Sequence, residues 1–169
     1  MKEKMLLNVL YELMKNSRQS DRTIAEKLNV SQPTVTRARI ALEKNNYING
    51  YTAIPSFPKI GYELIVISFV KTKTSLPLKE RLEAIEEGRK WNQEQPNIVF
   101  SAMCNGMGAN GMMISFHKSY SDYVEFMKAY KSKWNKVVTF MESIMIHMSD
   151  EQLIKPLTFA SLIEPSKNH

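Results

Sequence analysis

The 169 residues carry 23 Lys/Arg against 17 Asp/Glu, one cysteine and 43% hydrophobic side chains. That length suits one large domain or two small ones, and a lone cysteine, Cys104, excludes an internal disulfide framework and fits a reducing interior. No stretch of about 18 apolar residues and no charged-then-apolar leader is present, so a soluble, cytoplasmic protein with no membrane partner is expected.

The charge is segregated: residues 1–60 hold ten Lys/Arg and five Asp/Glu, whereas 61–169 hold thirteen and twelve. A cation excess confined to the first third is what neutralising nucleic-acid phosphates requires. Leu6, Val9, Leu10 and Leu13 recur at helical steps and predict a first helix over Met5–Met14. Ile24, Ala25 and Leu28 mark a second, which stops at Asn29, a residue that tolerates the left-handed backbone of a helix end. Ser31 is the expected N-cap of a third helix with Pro33 in its first turn. At 100° per residue, Val35, Ala38 and Leu42 share one side, and Pro33, Thr36, Arg37, Ile40 and Lys44 share the other. The outer side is short, polar and basic, as a helix lying in the DNA major groove must be.

The expected contacts follow from side-chain chemistry. Gln32 can pair bidentately with adenine and Arg37 with guanine; Thr34 and Thr36 can donate to phosphate or touch a thymine methyl. Ser31 joins them at the helix start, and Arg18, Arg22, Arg39 and Lys44 are expected to hold phosphate. Double-stranded DNA is therefore the expected partner. Beyond Asn45-Asn46, Asn49-Gly50 between strand-like residues predicts a small β-wing. Pro55-Ser-Phe-Pro58 reads as a linker.

The rest alternates in type: a strand over Leu64–Lys73, an amphipathic helix over Leu76–Trp91 with Leu78, Leu82, Ile85 and Arg89 near one face, and a strand over Asn97–Cys104. A loop with Gly106, Gly108 and Gly111 leads to a strand over Met112–Lys118, a helix from Ser119 to Trp134 and a strand over Val137–Met148. The order βαββαβ is a ferredoxin-like unit. Its two helices can cover one sheet face only, so the other predicts burial against a second copy. The expected class is α+β, an N-terminal winged helix-turn-helix (1–57) followed by a ferredoxin-like effector and dimerisation domain (58–149) and a C-terminal extension (150–169). In that extension Leu153, Ile154, Leu157, Phe159, Leu162 and Ile163 favour packing.

Specific pieces carry a resemblance: Asn16-Ser-Arg18, Ile24-Ala25, Leu28-Asn-Val-Ser31, Thr34-Val35, Leu42-Glu43, Ile48 to Tyr51 and Lys59-Ile-Gly61. Together they resemble the start of the Lrp/AsnC (feast/famine) transcription regulators, and the later elements match by pattern. Ala38 and Asn46 stand where that family commonly has arginine and glycine. The resemblance implies a sequence-specific regulator, a homodimer or higher even oligomer. It also implies an amino-acid-like effector near the glycine loop. Gly106 and Gly108 would supply that family's glycine role there, with Asn110 at or beside the position of its acid. A Gly/Asn-rich hairpin explains the same residues without a ligand.

His117, His147 and His169 stand at no metal-ligand spacing, so no metal, no cofactor and no catalytic residues are expected. Two other readings remain. Siroheme decarboxylases resemble the same two-domain build but carry a His-Asn-Tyr type motif where this chain has Pro96-Asn-Ile-Val-Phe100. An architectural protein coating DNA with little sequence preference is the other.

Overall fold

The computed structural model describes residues 3–73, 75–149 and 153–163. The chain divides into two compact units: Met1–Ile54 with Lys155–His169, and Pro55–Ile154.

In the first unit α1 (Glu3–Lys15), α2 (Asp21–Leu28) and α3 (Gln32–Lys44) enclose one core. Val9, Leu13, Ile24, Ala25, Val35, Ala38 and Leu42 are buried there, the residues whose helical spacing predicts an inward stripe. Asparagine ends both helices of the pair. Asn29 and Asn46 take φ of 52° and 58°, and each turn closes with the crossed hydrogen bonds of a Schellman motif. Val30 N–H donates to Ala25 O (3.0 Å) and Tyr47 N–H to Leu42 O (2.9 Å). Asn46 thus supplies the left-handed residue for which glycine is the usual choice.

The expected β-wing is not formed: residues 47–54 contain no strand. Two strands of a few residues with no third to join are marginal in water. The segment is instead held to α3 by the Tyr51 hydroxyl, which donates to Glu43 Oε1 at 2.8 Å.

The second unit begins at Pro55, slightly before the expected boundary, because Phe57 packs on Phe116 with ring centroids 4.4 Å apart. Its elements are β1 (Leu64–Thr72), α4 (Leu78–Glu94), β2 (Ile98–Gly106), β3 (Ala109–His117), α5 (Tyr120–Trp134) and β4 (Val138–His147). The antiparallel sheet runs β2-β3-β1-β4, the ferredoxin-like order. Alternation along β1 sends Leu64, Val66, Ser68 and Val70 toward the helices, where the first two meet Tyr123 and Val70 meets Tyr130 and Trp134. Ile65, Ile67 and Phe69 point the other way. Cross-strand register places Ile67 between Ile114 and Ile144, a row continued by Phe100 at 50% exposure.

Two expectations are corrected. Leu78 and Leu82, placed on the apolar side of α4, are 61% and 57% exposed, and α4 has no buried residue. In the extension, Ile154, Leu157, Phe159 and Leu162 are exposed, with only Leu153 and Ile163 half-buried. From Lys155 the extension belongs with the helical unit, and a 3-10 turn at Ala160–Leu162 lies beside α1. Residues 150–152 and 164–169 of that expected extension, with Pro165 and His169, lie outside the described residues.

The β2–β3 hairpin turns on Met107-Gly108, both left-handed at φ 51° and 71°, a type I′ pair. An unbranched side chain at the first position costs backbone strain that asparagine largely avoids. Met107→Asn is expected to stabilise the protein by up to about 1 kcal/mol. Chemical denaturation checks it, and an unchanged or lower midpoint contradicts the strain argument.

Candidate nucleic-acid interface

The outward face of α3 is fixed by what holds its other residues. Asp21, the first residue of α2, accepts from Thr36 Oγ1 at 2.7 Å and from Arg39 Nε at 2.8 Å. Arg39 also donates to Gln19 O at 3.3 Å, while Gln19 Nε2 donates to Glu12 O of α1 at 2.8 Å. Glu12, itself buried, is bridged to Lys27 of α2 at 3.2 Å. A polar chain therefore ties all three helices on one side of the core. Both partners of the Asp21–Arg39 pair are about one-fifth exposed, a setting in which geometry and shared hydrogen bonds outweigh screening. Burial alone would raise the Asp21 carboxyl. The hydrogen bonds from Thr36 and Arg39, with the guanidinium charge, outweigh it and hold the group below its ordinary value. Hydrogen bonds from Lys15 act in the same way on Glu12.

This network divides the expected contact residues. Thr36 and Arg39 are engaged inside the domain. Gln32, Arg37 and Lys44 are exposed on α3, and Thr34 is half-buried beside them. Arg37 Nε donates to Pro33 O at 3.2 Å, which lays the side chain back along its own helix. Ser31 has the extended backbone of an N-cap, yet its Oγ bonds Thr34 Oγ1 (2.8 Å) and no backbone N–H. Pro33 has no N–H and the Thr34 N–H donates to Ser31 O at 3.0 Å, so the Gln32 N–H is the amide left for a phosphate at the start of α3. Ser20, by contrast, caps α2 through Thr23 N–H at 3.1 Å. Arg18 is exposed in the α1–α2 turn, and Arg22 pairs with Glu26 at 3.1 Å, both exposed and hence weakly held. Ile40, 56% exposed among these polar groups, offers an apolar contact.

Asp21 is the residue that reading by motif misses. Its position suggests only a first-turn acid favoured by the helix dipole, and its reach to α3 depends on how the two helices cross.

The glycine loop is a different environment. Gly106 and Gly108 are exposed and bound the tight Met107-Gly108 turn. Asn110 is committed elsewhere: Oδ1 accepts from Thr72 N–H at 3.0 Å and Nδ2 donates to Thr72 Oγ1 at 2.8 Å, pinning the end of β1. Cys104 is half-buried on edge strand β2. His147 is exposed, but His117 is fully buried, with Nε2 2.9 Å from Ser115 Oγ and Nδ1 3.6 Å from Asp122 Oδ2. The trio has the composition of a nucleophilic relay. Ser115 and His117 are sealed at 0% exposure, however, which keeps substrate from both. Among the described residues no three His, Cys, Asp or Glu side chains converge as metal ligands. No helix among them is long and apolar enough to cross a membrane.

Comparison with known proteins agrees with this geometry. Residues 3–49 match the family model for winged helix-turn-helix DNA-binding domains. LrpC of Bacillus subtilis is 25% identical with a TM-score of 0.66, over 86% of this chain and 94% of that one. A transcriptional regulator of Neisseria meningitidis, solved in complex with L-methionine, is 15% identical with a TM-score of 0.77 over 95% and 96% of the two chains. An AsnC-family regulator from Agrobacterium tumefaciens is 19% identical with a TM-score of 0.73 over 93% and 94%. No curated protein matches the sequence closely. The chain has the two-domain build of Lrp/AsnC-type transcription regulators, as its N-terminal motifs suggest.

If Asp21 locks α3, Asp21→Ala removes charged hydrogen bonds and costs about 1.5–3 kcal/mol of stability. Arg22→Ala, which breaks an exposed pair, costs no more than about 0.5 kcal/mol. Urea unfolding separates the two, and equal effects would refute the lock. A pH dependence follows from His117. Burial, which outweighs the Asp122 carboxylate, depresses its folded-state value below 6.5, so the neutral form is the one the fold stabilises. Its contribution is complete above about pH 6.5 and is lost as pH falls toward the folded value. Unfolding free energy measured at pH 7.5, 6 and 5 should fall, and fall less in His117→Gln.

Proposed function

We propose that this chain is a DNA-binding transcription regulator of the Lrp/AsnC type that acts as a homodimer or higher even oligomer. The observation that carries the reading is the α3 face: Gln32, Thr34 and Arg37 at its start stand clear of a core that the Asp21 network holds rigid. In this reading Gln32 and Arg37 address base edges, while Ser31 with the Gln32 N–H, Arg18, Arg22 and Lys44 address phosphate. Thr36 and Arg39 chiefly set the angle of α3, and Arg39 retains guanidinium N–H groups beyond those given to Asp21 and Gln19 for a neighbouring phosphate.

The dimer is supported by the open sheet face. Beyond Phe116, which Phe57 and Tyr62 cover at one end of this face, Ile65, Ile67, Phe69, Phe100, Ile114 and Ile144 continue it as an apolar surface with no helix over it among the described residues. A second copy joined there by two-fold symmetry presents two α3 helices to a pseudo-palindrome. An amino-acid-like effector at Gly106, Gly108 and Asn110 is supported by the exposed hairpin tip, which a neighbouring subunit would have to close. The Asn110 amide, already held by Thr72, would serve there through its remaining donor and acceptor positions. Reduced surroundings, a nucleoid location and the absence of catalysis accompany this reading. The decarboxylase alternative has less support, since the similar structures named above are regulators and Pro96–Phe100 carries no histidine.

Selection of duplexes from a random pool near physiological salt tests the proposal. A recovered pseudo-palindrome with half-sites about one helical turn apart is expected. Arg37→Ala should then weaken binding to the selected site by about 1–3 kcal/mol and relax one base position. Enrichment without a motif would favour the architectural coat instead, and an equal loss on all sequences would reduce Arg37 to a phosphate contact.

A further inference from the structure

Between α4 and the helix-facing side of the sheet lies a cavity of about 370 Å³. Small-molecule pockets start at about 300 Å³, and the volume equals on the order of a dozen water molecules at about 30 Å³ each. Its floor and far wall are apolar, formed by Val70, Met113, Tyr130, Trp134 and Val138. Burial pushes the Tyr130 hydroxyl up to about 12, so this wall stays uncharged at every physiological pH.

The lid is unusual for a helix on an apolar sheet. Ala84, Ile85 and Gly88 of α4 face the cavity, and a Cβ built on Gly88 meets nothing within 4 Å. A glycine inside a 17-residue helix costs roughly 0.5–1 kcal/mol relative to alanine, and here it keeps the space open. Glu80, Glu83, Glu86 and Glu87 are exposed, and so is Arg89 at the mouth of the cavity, while Arg81 and Lys73 from the end of β1 are half-buried in its lining. No Asp or Glu lines it. Arg89 is 3.8 Å from Glu86, whereas Arg81, half-buried, has no carboxylate partner among the described residues. Thr72, Asn92 and Ser101 add hydrogen-bonding groups at the same rim.

We propose that this cavity binds a small carboxylate with an apolar body, its charged head at Arg81 and its body against the Met113–Trp134 wall. The lining excludes a free amino acid as the preferred ligand, because an α-ammonium group entering with the carboxylate would find three cations and no acid. A deaminated relative, an aryl- or alkyl-carboxylic acid, fits. The site lies behind β2 and β3, apart from the Met107-Gly108 turn, and does not depend on the DNA-binding reading.

The probe is 4-phenylbutyrate, titrated by calorimetry into the full chain without DNA. Methyl NMR on methionine-labelled protein is recorded in parallel, since the Met103 and Met113 side chains lie on the cavity's side of the sheet. Saturable one-to-one binding is expected, with shifts at those two methyls. The matched cation 4-phenylbutylamine and L-phenylalanine should each bind at least tenfold more weakly. Gly88→Met, which fills the space, and Arg81→Gln, which removes the head contact, should each weaken 4-phenylbutyrate at least tenfold. Because the methyl shifts are read on the unaltered protein, a variant that fails to fold does not spare the proposal. Absence of saturable binding, or shifts at other methionines only, overturns it. Equal binding of the amine, or of Arg81→Gln, overturns the carboxylate assignment.

Discussion

Burial runs out on one face of each unit, and that shortage decides what the molecule can do. Three short helices enclose one core with Val35, Ala38 and Leu42 turned in, so the other side of α3 must meet something else. A four-stranded sheet with two helices is covered on one side only. The two bare faces differ in kind. That of α3 carries Gln32, Arg37 and Lys44 and is stable in water or against phosphate; that of the sheet carries Ile67, Phe69 and Phe100 and is stable only when covered. Polar and apolar remainders thus suit different surroundings, a polyanion for one unit and an apolar covering for the other.

Exposure alone does not make α3 a reader of DNA; it must also be held still. Ordering loose side chains and a loose helix at the interface would subtract from affinity. The Asp21–Thr36–Arg39 contacts reduce that cost by fixing α3 against α2 before any DNA arrives. The Schellman turns at Asn29 and Asn46 fix where each helix stops, and so how the chain enters α3 and leaves it. Rigidity here comes from short-range polar geometry laid over a small apolar core.

The legible parts of this protein were those governed by periodicity. The inward residues of α2 and α3, the βαββαβ order and nearly every strand boundary follow from spacing within single elements. What spacing could not show was set by contacts between elements. The β-wing failed because Asn49-Gly50 is a local turn signal, whereas a strand needs a neighbour. Leu78 and Leu82 share a face with Ile85 by spacing, yet spacing carries no label for which side of α4 meets the sheet, and both stand in solvent. Thr36 and Arg39 were read as outward contacts since Asp21, fifteen and eighteen residues earlier, becomes their partner only once the helices cross. In the glycine loop the turn was foreseen, but the commitment of the Asn110 amide to Thr72 required the β1–β3 register.

α4 brings these strands together. α4 does not close tightly on the sheet: the half-buried Arg81 guanidinium must stay hydrated or paired, and Gly88 contributes no side chain to fill the gap. Trp91 meets Phe126, Tyr130 and Trp134 within 6.2 Å near the helix's end, and Lys133 reaches Glu87 at 3.0 Å. The contacts to α5 therefore hold α4 toward its C-terminal end, while Leu78 and Leu82 stand out in solvent nearer its start. A helix held near one end over a lined cavity has room to settle when that cavity fills. It adjoins β2, the edge strand that forms the exposed hairpin with β3.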